Sequence, residues 1–205
     1  MALTRLGPNQ AVNLSTNTTG TLGVANGGTG LTSGTTDQIL KFTGSTTLAS
    51  SAEAAGGKLL QTQTALFTSQ SAHNSETYTA SNYTDQITPS ATNSKILVQF
   101  NFRSHIYQAS GSTVRSQLLI YRQINGGGFS EFYPANGGVS WGIGVSSGER
   151  GMYYTPQLTF MDTTHNTTNA IDYTLYARRN TSATGSVNVG GSSIQAQVIL
   201  MEIAA

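Results

Sequence analysis

The 205-residue chain has no cysteine, which removes disulfide frameworks, thiolate metal sites and cysteine nucleophiles together. Charge is scarce too: 9% of residues are Asp, Glu, Lys or Arg, against about 25% in an average soluble protein. Ten basic and nine acidic residues are spread without runs and leave a formal net charge of +1. That balance implies no field able to gather phosphates, so nucleic acid is not an expected partner. No window approaches the roughly 20 apolar residues that span a bilayer, and the opening MALTRLGPNQ lacks an apolar signal core. The expectation is a protein made in a cytoplasm, without membrane insertion.

What the chain has is Gly, Ser, Thr and Asn, and the way they are distributed divides it near Gly56-Gly57. Before that point Leu6, Val12, Leu14, Leu22, Val24, Leu31, Ile39, Leu40, Phe42 and Leu48 stand isolated in polar sequence. They are too sparse to close a core. Residues 1–57 therefore read as an extended Gly/Thr-rich attachment arm that orders by docking onto other subunits.

From 58 to 205 the pattern changes to alternation. In Lys95-Ile96-Leu97-Val98-Gln99-Phe100-Asn101-Phe102-Arg103 every even position is apolar and most odd ones are polar, the period of a half-buried strand. Comparable runs cover 59–68, 76–87, 114–124, 152–161, 171–179 and 194–203, with shorter ones at 129–133 and 141–145. Asn125-Gly126, Asn136-Gly137, Ser147-Gly148 and Gly190-Gly191 supply turn chemistry between them. Eight or nine such strands predict an all-β domain, an antiparallel β-sandwich or jelly roll.

Catalytic and cofactor chemistry is sought with little return. Asn26-Gly27-Gly28-Thr29-Gly30 lacks the Gly-Lys-Ser/Thr ending of a phosphate loop, and Ser33 stands where a dinucleotide fingerprint needs its last glycine. His73, His105 and His165 each stand alone, without a second ligand at metal spacing. Glu131 and Glu149 are carboxylates near expected loops, and the ordinary reading for both is a solvated acid. The sequence predicts no enzyme, no cofactor and no metal.

Aromatic residues near turns are the remaining lead: Tyr107, Phe129, Phe132, Tyr133, Trp141, Tyr153 and Tyr154. Exposed rings beside amides such as Asn136 are the ingredients of a sugar-binding surface. Packing in the core or a subunit contact is the competing role, and Trp141 in particular is expected to be packed. Tyr107, Phe129, Tyr133, Asn136 and Trp141 are the candidate receptor contacts. Arg178 and Arg179 should face opposite ways on one strand, with Asp172, Glu202 or a neighbouring subunit as partner for the inward one.

Two stretches carry a resemblance. Leu22-Gly23-Val24-Ala25-Asn26-Gly27-Gly28-Thr29-Gly30-Leu31 resembles an LPVANGGTG element of phage tail-fibre and related virion proteins, with Gly23 where that family has Pro. A second set comprises Gly57-Lys58-Leu59-Leu60-Gln61, the run from Ile87 to Val98, and Gln197-Val198-Ile199-Leu200-Met201-Glu202-Ile203. It is similar to a C-terminal module of virion proteins from phages, many of marine and cyanobacterial hosts. The resemblance implies a non-enzymatic structural protein of the phage virion, a short tail fibre or tail-associated appendage. Its head would be a homotrimeric jelly roll comparable to the C1q and tumour-necrosis-factor heads. It further implies that Leu22, Val24, Asn26, Gly27, Gly28, Gly30 and Leu31 attach the chain to other virion proteins, with host attachment through a surface glycan at the head. A capsid decoration or cement protein and a free carbohydrate-binding module are the alternatives.

Overall fold

The computed structural model describes residues 29, 31, 34–45, 47–53, 56–108, 113–133, 138–144, 150–179, 185–191 and 195–205. The strands are β1 (Ile39–Gly44), β2 (Thr47–Ser51), β3 (Leu59–Phe67), β4 (Ser71–His73), β5 (Thr79–Ile87), β6 (Lys95–Asn101), β7 (Ser104–Gln108) and β8 (Thr113–Ile124). They continue with β9 (Ser130–Tyr133), β10 (Val139–Gly144), β11 (Arg150–Tyr154), β12 (Gln157–Asp162), β13 (Ile171–Arg179), β14 (Gly185–Val189) and β15 (Ala196–Ile203). No helix occurs among the described residues, so the all-β expectation holds. Contacts divide the chain into two units, Met1–Ala54 and Ala55–Ala205.

In the first unit β1 and β2 pair antiparallel, with Phe42 opposite Leu48. Sequence reading expected only an extended arm here. The hairpin forms because the short runs on either side of residues 45–46 can satisfy each other's backbone groups, yet a two-stranded ribbon has no second layer to cover its side chains. Ile39, Leu40 and Phe42 accordingly remain 48–64% exposed.

The second unit is a sandwich. One layer has the strand order β10-β8-β13-β5, with β9 also on β8. The other consists of two sheets with matching order, β12-β6-β15-β3 and β11-β7-β14-β4. Each strand of the first is joined to its counterpart in the second by a short segment, so four long strands pass through one shared break. Eight long strands in two layers, with all but one connection crossing between layers, make a jelly roll. The core lies between the layers: Ile96, Val98 and Phe100 from β6 and Val198 and Leu200 from β15 face Leu118, Ile120, Ile171, Tyr173 and Leu175, all at most 1% exposed.

Three strands of the second unit escaped sequence reading. In β7 the inward positions are Ser104, Ile106 and Gln108, all fully buried, so polar residues occupy core positions and blur the alternation. Short β4 and Gly/Ser-flanked β14 offered too few apolar residues to register. The run at 152–161 is two strands, because Pro156 has no N–H to continue the ladder.

The break is bolted by Tyr83. This β5 side chain is 1% exposed and packs edge-on against Phe67 at 5.0 Å between ring centroids. Its hydroxyl donates to the Ser69 carbonyl at 2.5 Å and lies 3.3 Å from that of Val189. Gly190, at φ +83°, leaves room for that hydroxyl and donates its N–H to the Arg103 carbonyl at 2.6 Å.

Close by, His73 faces the core at 1% exposure with Nδ1 2.7 Å from the Thr79 hydroxyl. Burial drives its pKa down to about 4. The folded protein therefore holds it neutral while the unfolded chain protonates it below about pH 6.5. Stability should fall by on the order of 3 kcal/mol between pH 6.5 and 4 from this residue alone. Thermal melts of wild type and His73→Gln across that window check this: the variant should show a much shallower loss, and parallel curves would refute the assignment.

Candidate functional site

The residues singled out from sequence scatter. Leu22, Val24, Asn26, Gly27, Gly28, Gly30 and Asn136 lie outside the described residues, as does Glu149; Leu31 is described but belongs to no strand. Trp141 and Tyr133 are partly buried and pack against the core. Trp141 packs on both core clusters, 5.0 Å from Tyr154, and Tyr133 stacks on Phe160 at 4.8 Å. Their inward positions on β10 and β9 bury ring area that exposure would forfeit. Phe129 stays 42% exposed, 5.9 Å from Tyr176. Tyr107 lies on the outward side of β7, 6.5 Å from His105.

The arginine pair also resolves differently from expectation. Arg178 donates to Gln117 Oε1 at 2.6 Å and lies over the Tyr78 ring; Arg179 donates to the Gly185 carbonyl at 2.8 Å. Asp172 instead accepts from Gln86. Backbone and amide oxygens, rather than a carboxylate, accept from both guanidinium groups, and the buried Arg179 Nε is left without an acceptor among the described residues.

The three segments of the second resemblance meet in space. Glu202 on β15 is fully buried and accepts from Gln61 Nε2 at 2.6 Å, from the Ser90 amide at 2.7 Å and from the Ser90 hydroxyl at 2.8 Å. Burial alone would raise its pKa, but hydrogen bonds from Gln61, Ser94 and Ser90 outweigh that and hold it below the usual range. Gln61 also donates to the Thr88 carbonyl, and His165 Nε2 donates to the carbonyl of Ser94 at 2.8 Å. Alongside, Gly57 N–H pairs with the Ala204 carbonyl and Ala204 N–H with that of Lys58. The quoted motif is thus a polar lock where the chain enters the sandwich. It explains why Gln, Ser and Glu occur at those points, and it exposes no reactive group.

The outward face of the β12-β6-β15-β3 sheet is different in kind. Register aligns Met161 with Leu97 and Leu97 with Met201 in one row. Thr159, Gln99, Ile199 and Thr64 form the next row, and Leu60 and Leu66 stand on the edge strand at 41% and 58% exposure. Between Lys95 at one end and the break at the other this face carries no charged residue. The outward positions of the opposite layer include Arg115, Asp172 and Arg178. Apolar surface with methionines and no charge is the composition of an interface centre.

Beyond the break, the same face becomes aromatic. Tyr153, 60% exposed, lies 4.1 Å from His105 with nearly parallel rings, and the Arg103 guanidinium sits 3.9 Å over the centroid of Tyr153. Burial and the neighbouring Arg103 charge both push the His105 pKa down, so this ring is neutral at pH 7. At the break itself a groove of about 300 Å³ opens against Arg103, with Phe102 and Pro156 among its apolar lining and Asn101, Gln157 and Gln195 supplying amides. Sequence reading missed Arg103 and His105 as members of a site. Their spacing with Tyr107, at every second residue, would have placed all three on one face of an extended segment.

No family model matches the chain, and no curated protein does. Among solved structures, a structure of the Gx strain of infectious bursal disease virus aligns at 13% identity with a TM-score of 0.34, covering 82% of this chain and 43% of that one. The VP2 subviral particle of the same virus aligns at 14% identity with a TM-score of 0.30 and the same coverages. The chain spans less than half the length of these proteins, and likenesses this weak carry no functional assignment.

Proposed function

We propose that the chain is a non-enzymatic structural subunit of a phage virion, a short tail fibre or tail-associated appendage whose sandwich assembles as a homotrimer. The observation that carries the assembly is the uncharged outward face of the β12-β6-β15-β3 sheet, with Leu97, Met161 and Met201 in one row. Left in water, those side chains forgo roughly 25 cal/mol for every Å² they could bury, and a second copy of the same chain offers a surface of matching chemistry. The number three, the tail location and attachment through 1–57 come from the resemblance. The jelly-roll topology and the exposed β1-β2 ribbon accord with it.

Sedimentation and light scattering on the full chain test the assembly. Wild type should run at three times the chain mass at about 10 μM. Leu97→Glu, which places a carboxylate in the middle of the row, should run as a monomer and retain its β spectrum. A monomeric wild type would reject the assembly. Gold-labelled antibody against 59–205 on intact particles tests the location: label on the tail supports the fibre, whereas label over the head shell replaces it with a decoration protein.

A further inference from the structure

The groove at the break of the long sheet combines features that select a ligand. Among the described residues that line it, Arg103 alone is charged, and none is a carboxylate. That guanidinium carbon sits 3.9 Å from the centroid of the Tyr153 ring, which also neighbours His105 at 4.1 Å. A guanidinium seated on a ring loses less rotamer freedom when it captures an anion. Asn101, Gln157 and Gln195 add three amides, able both to donate and to accept, and Thr155 adds a hydroxyl. Phe102 and Pro156, both buried, close the floor of the groove. One cation and several two-way polar groups at the rim suit a small ring that bears one carboxylate and many hydroxyls.

We infer that this groove binds a carboxylated sugar unit, such as a uronic acid within an acidic polysaccharide. The carboxylate pairs with Arg103, and the hydroxyls bond to the amides of Asn101, Gln157 and Gln195. The inference deepens the proposed attachment role by naming the chemical class of surface that the subunit engages. It does not depend on the particle location or on the number three, because the groove is built within one chain. The rings of His105 and Tyr107, further along the face, extend the strip on which adjoining units of a polymer rest.

Calorimetric titration of the purified full chain, with its oligomeric state recorded in the same buffer, tests this. The probes are trigalacturonic acid, its methyl ester and maltotriose. The acid should bind, and the methyl ester, which keeps every hydroxyl but loses the charge, should bind at least about tenfold more weakly. Arg103→Gln should produce a similar loss, Gln157→Ala a smaller one, and Arg115→Gln, at an exposed position of the opposite layer, none. Gln157 is exposed, so its replacement leaves the fold intact even if Arg103→Gln does not. No heat with the acid at millimolar concentration, equal binding of acid and ester, or an unchanged affinity in Arg103→Gln with a native melt would each overturn the inference. Sugar binding without tail label, or tail label without sugar binding, separates its failure from that of the virion role.

Discussion

Gly190→Ala should unfold the sandwich at temperatures where the wild type is fully native. A Cβ at this position would lie 1.6 Å from the Tyr83 hydroxyl oxygen, 2.8 Å from Tyr83 Cζ and 2.9 Å from the Ser69 carbonyl oxygen. The backbone, at φ +83°, also disfavours any side chain. Tyr83 has no route of escape, since Phe67 packs on it from one side and Phe102 stacks on it at 6.3 Å. Overpacking and backbone strain together cost more than about 3 kcal/mol. Chemical denaturation measures the loss directly. Tyr83→Phe alone removes a buried hydroxyl from its carbonyl partners, at roughly 1–3 kcal/mol. In the Gly190→Ala background the same change relieves the closest contact, so the double variant should be clearly more stable than the sum of the two losses predicts. Strict additivity, or a Gly190→Ala protein within about 0.5 kcal/mol of wild type, would show that the break does not depend on this contact.

Asp162→Ala is expected to have the next largest effect. The carboxylate is fully buried at the end of β12 and accepts from Tyr173 at 2.6 Å, from Arg122 at 2.8 Å and from the Thr164 amide at 2.8 Å. Burial alone would raise its pKa, but the hydrogen bonds from Tyr173, Arg122 and Thr164 and the Arg122 charge more than offset it, and the net shift is downward. Removing the carboxylate leaves the fully buried Tyr173 hydroxyl without an acceptor and Arg122 without its partner. Breaking a buried pair costs 3–5 kcal/mol, and the lower end applies because the Arg122 side chain is 17% exposed. At about 2–4 °C per kcal/mol for a domain of this size, the midpoint should drop by roughly 10 °C. Asp162→Asn, which retains an acceptor for Tyr173, should lose less.

The same lowered pKa fixes a direction with pH. The stabilisation from Asp162 is complete above the unfolded carboxylate pKa near 4 and disappears as pH falls through the lower folded value. Asp162→Ala should therefore lose its deficit relative to wild type in strong acid. A constant gap down to pH 2 would mean that the carboxylate is not ionised in the fold.

The layer structure was legible in sequence wherever one face of a strand is apolar and the other polar. In 95–101 and 171–177 every second residue is apolar and buried, and both runs are strands of the sandwich; 196–203 alternates in burial, although Ile199 and Met201 face outward and Glu202 inward. The reading failed where polar side chains are buried, as at Ser104 and Gln108. It failed again where one long strand is cut, because an apolar run that crosses Thr155-Pro156 looks continuous on a one-dimensional pattern. The candidate site was less legible for a related reason. Arg103, Tyr153 and the amides of Gln157 and Gln195 converge only because four strands break at the same level. Trp141 and Phe129 show the limit of composition: both are aromatic and both lie near Gly-rich turns, but only register decides that one is packed and the other exposed. The segments carrying the second resemblance proved informative about folding, since Gln61, Ser90 and Glu202 are mutual partners.

The entry point into the sandwich also sets how the subunit bears load. Residues 59–67 lie alongside β15 in an antiparallel ladder that begins where Gly57 and Lys58 pair with Ala204. A pull applied at Gly57 along the axis of β3 would shear its backbone hydrogen bonds together rather than unzip them one after another. Loaded that way, the domain would resist as a glued lap joint does, yielding only when the whole overlap lets go.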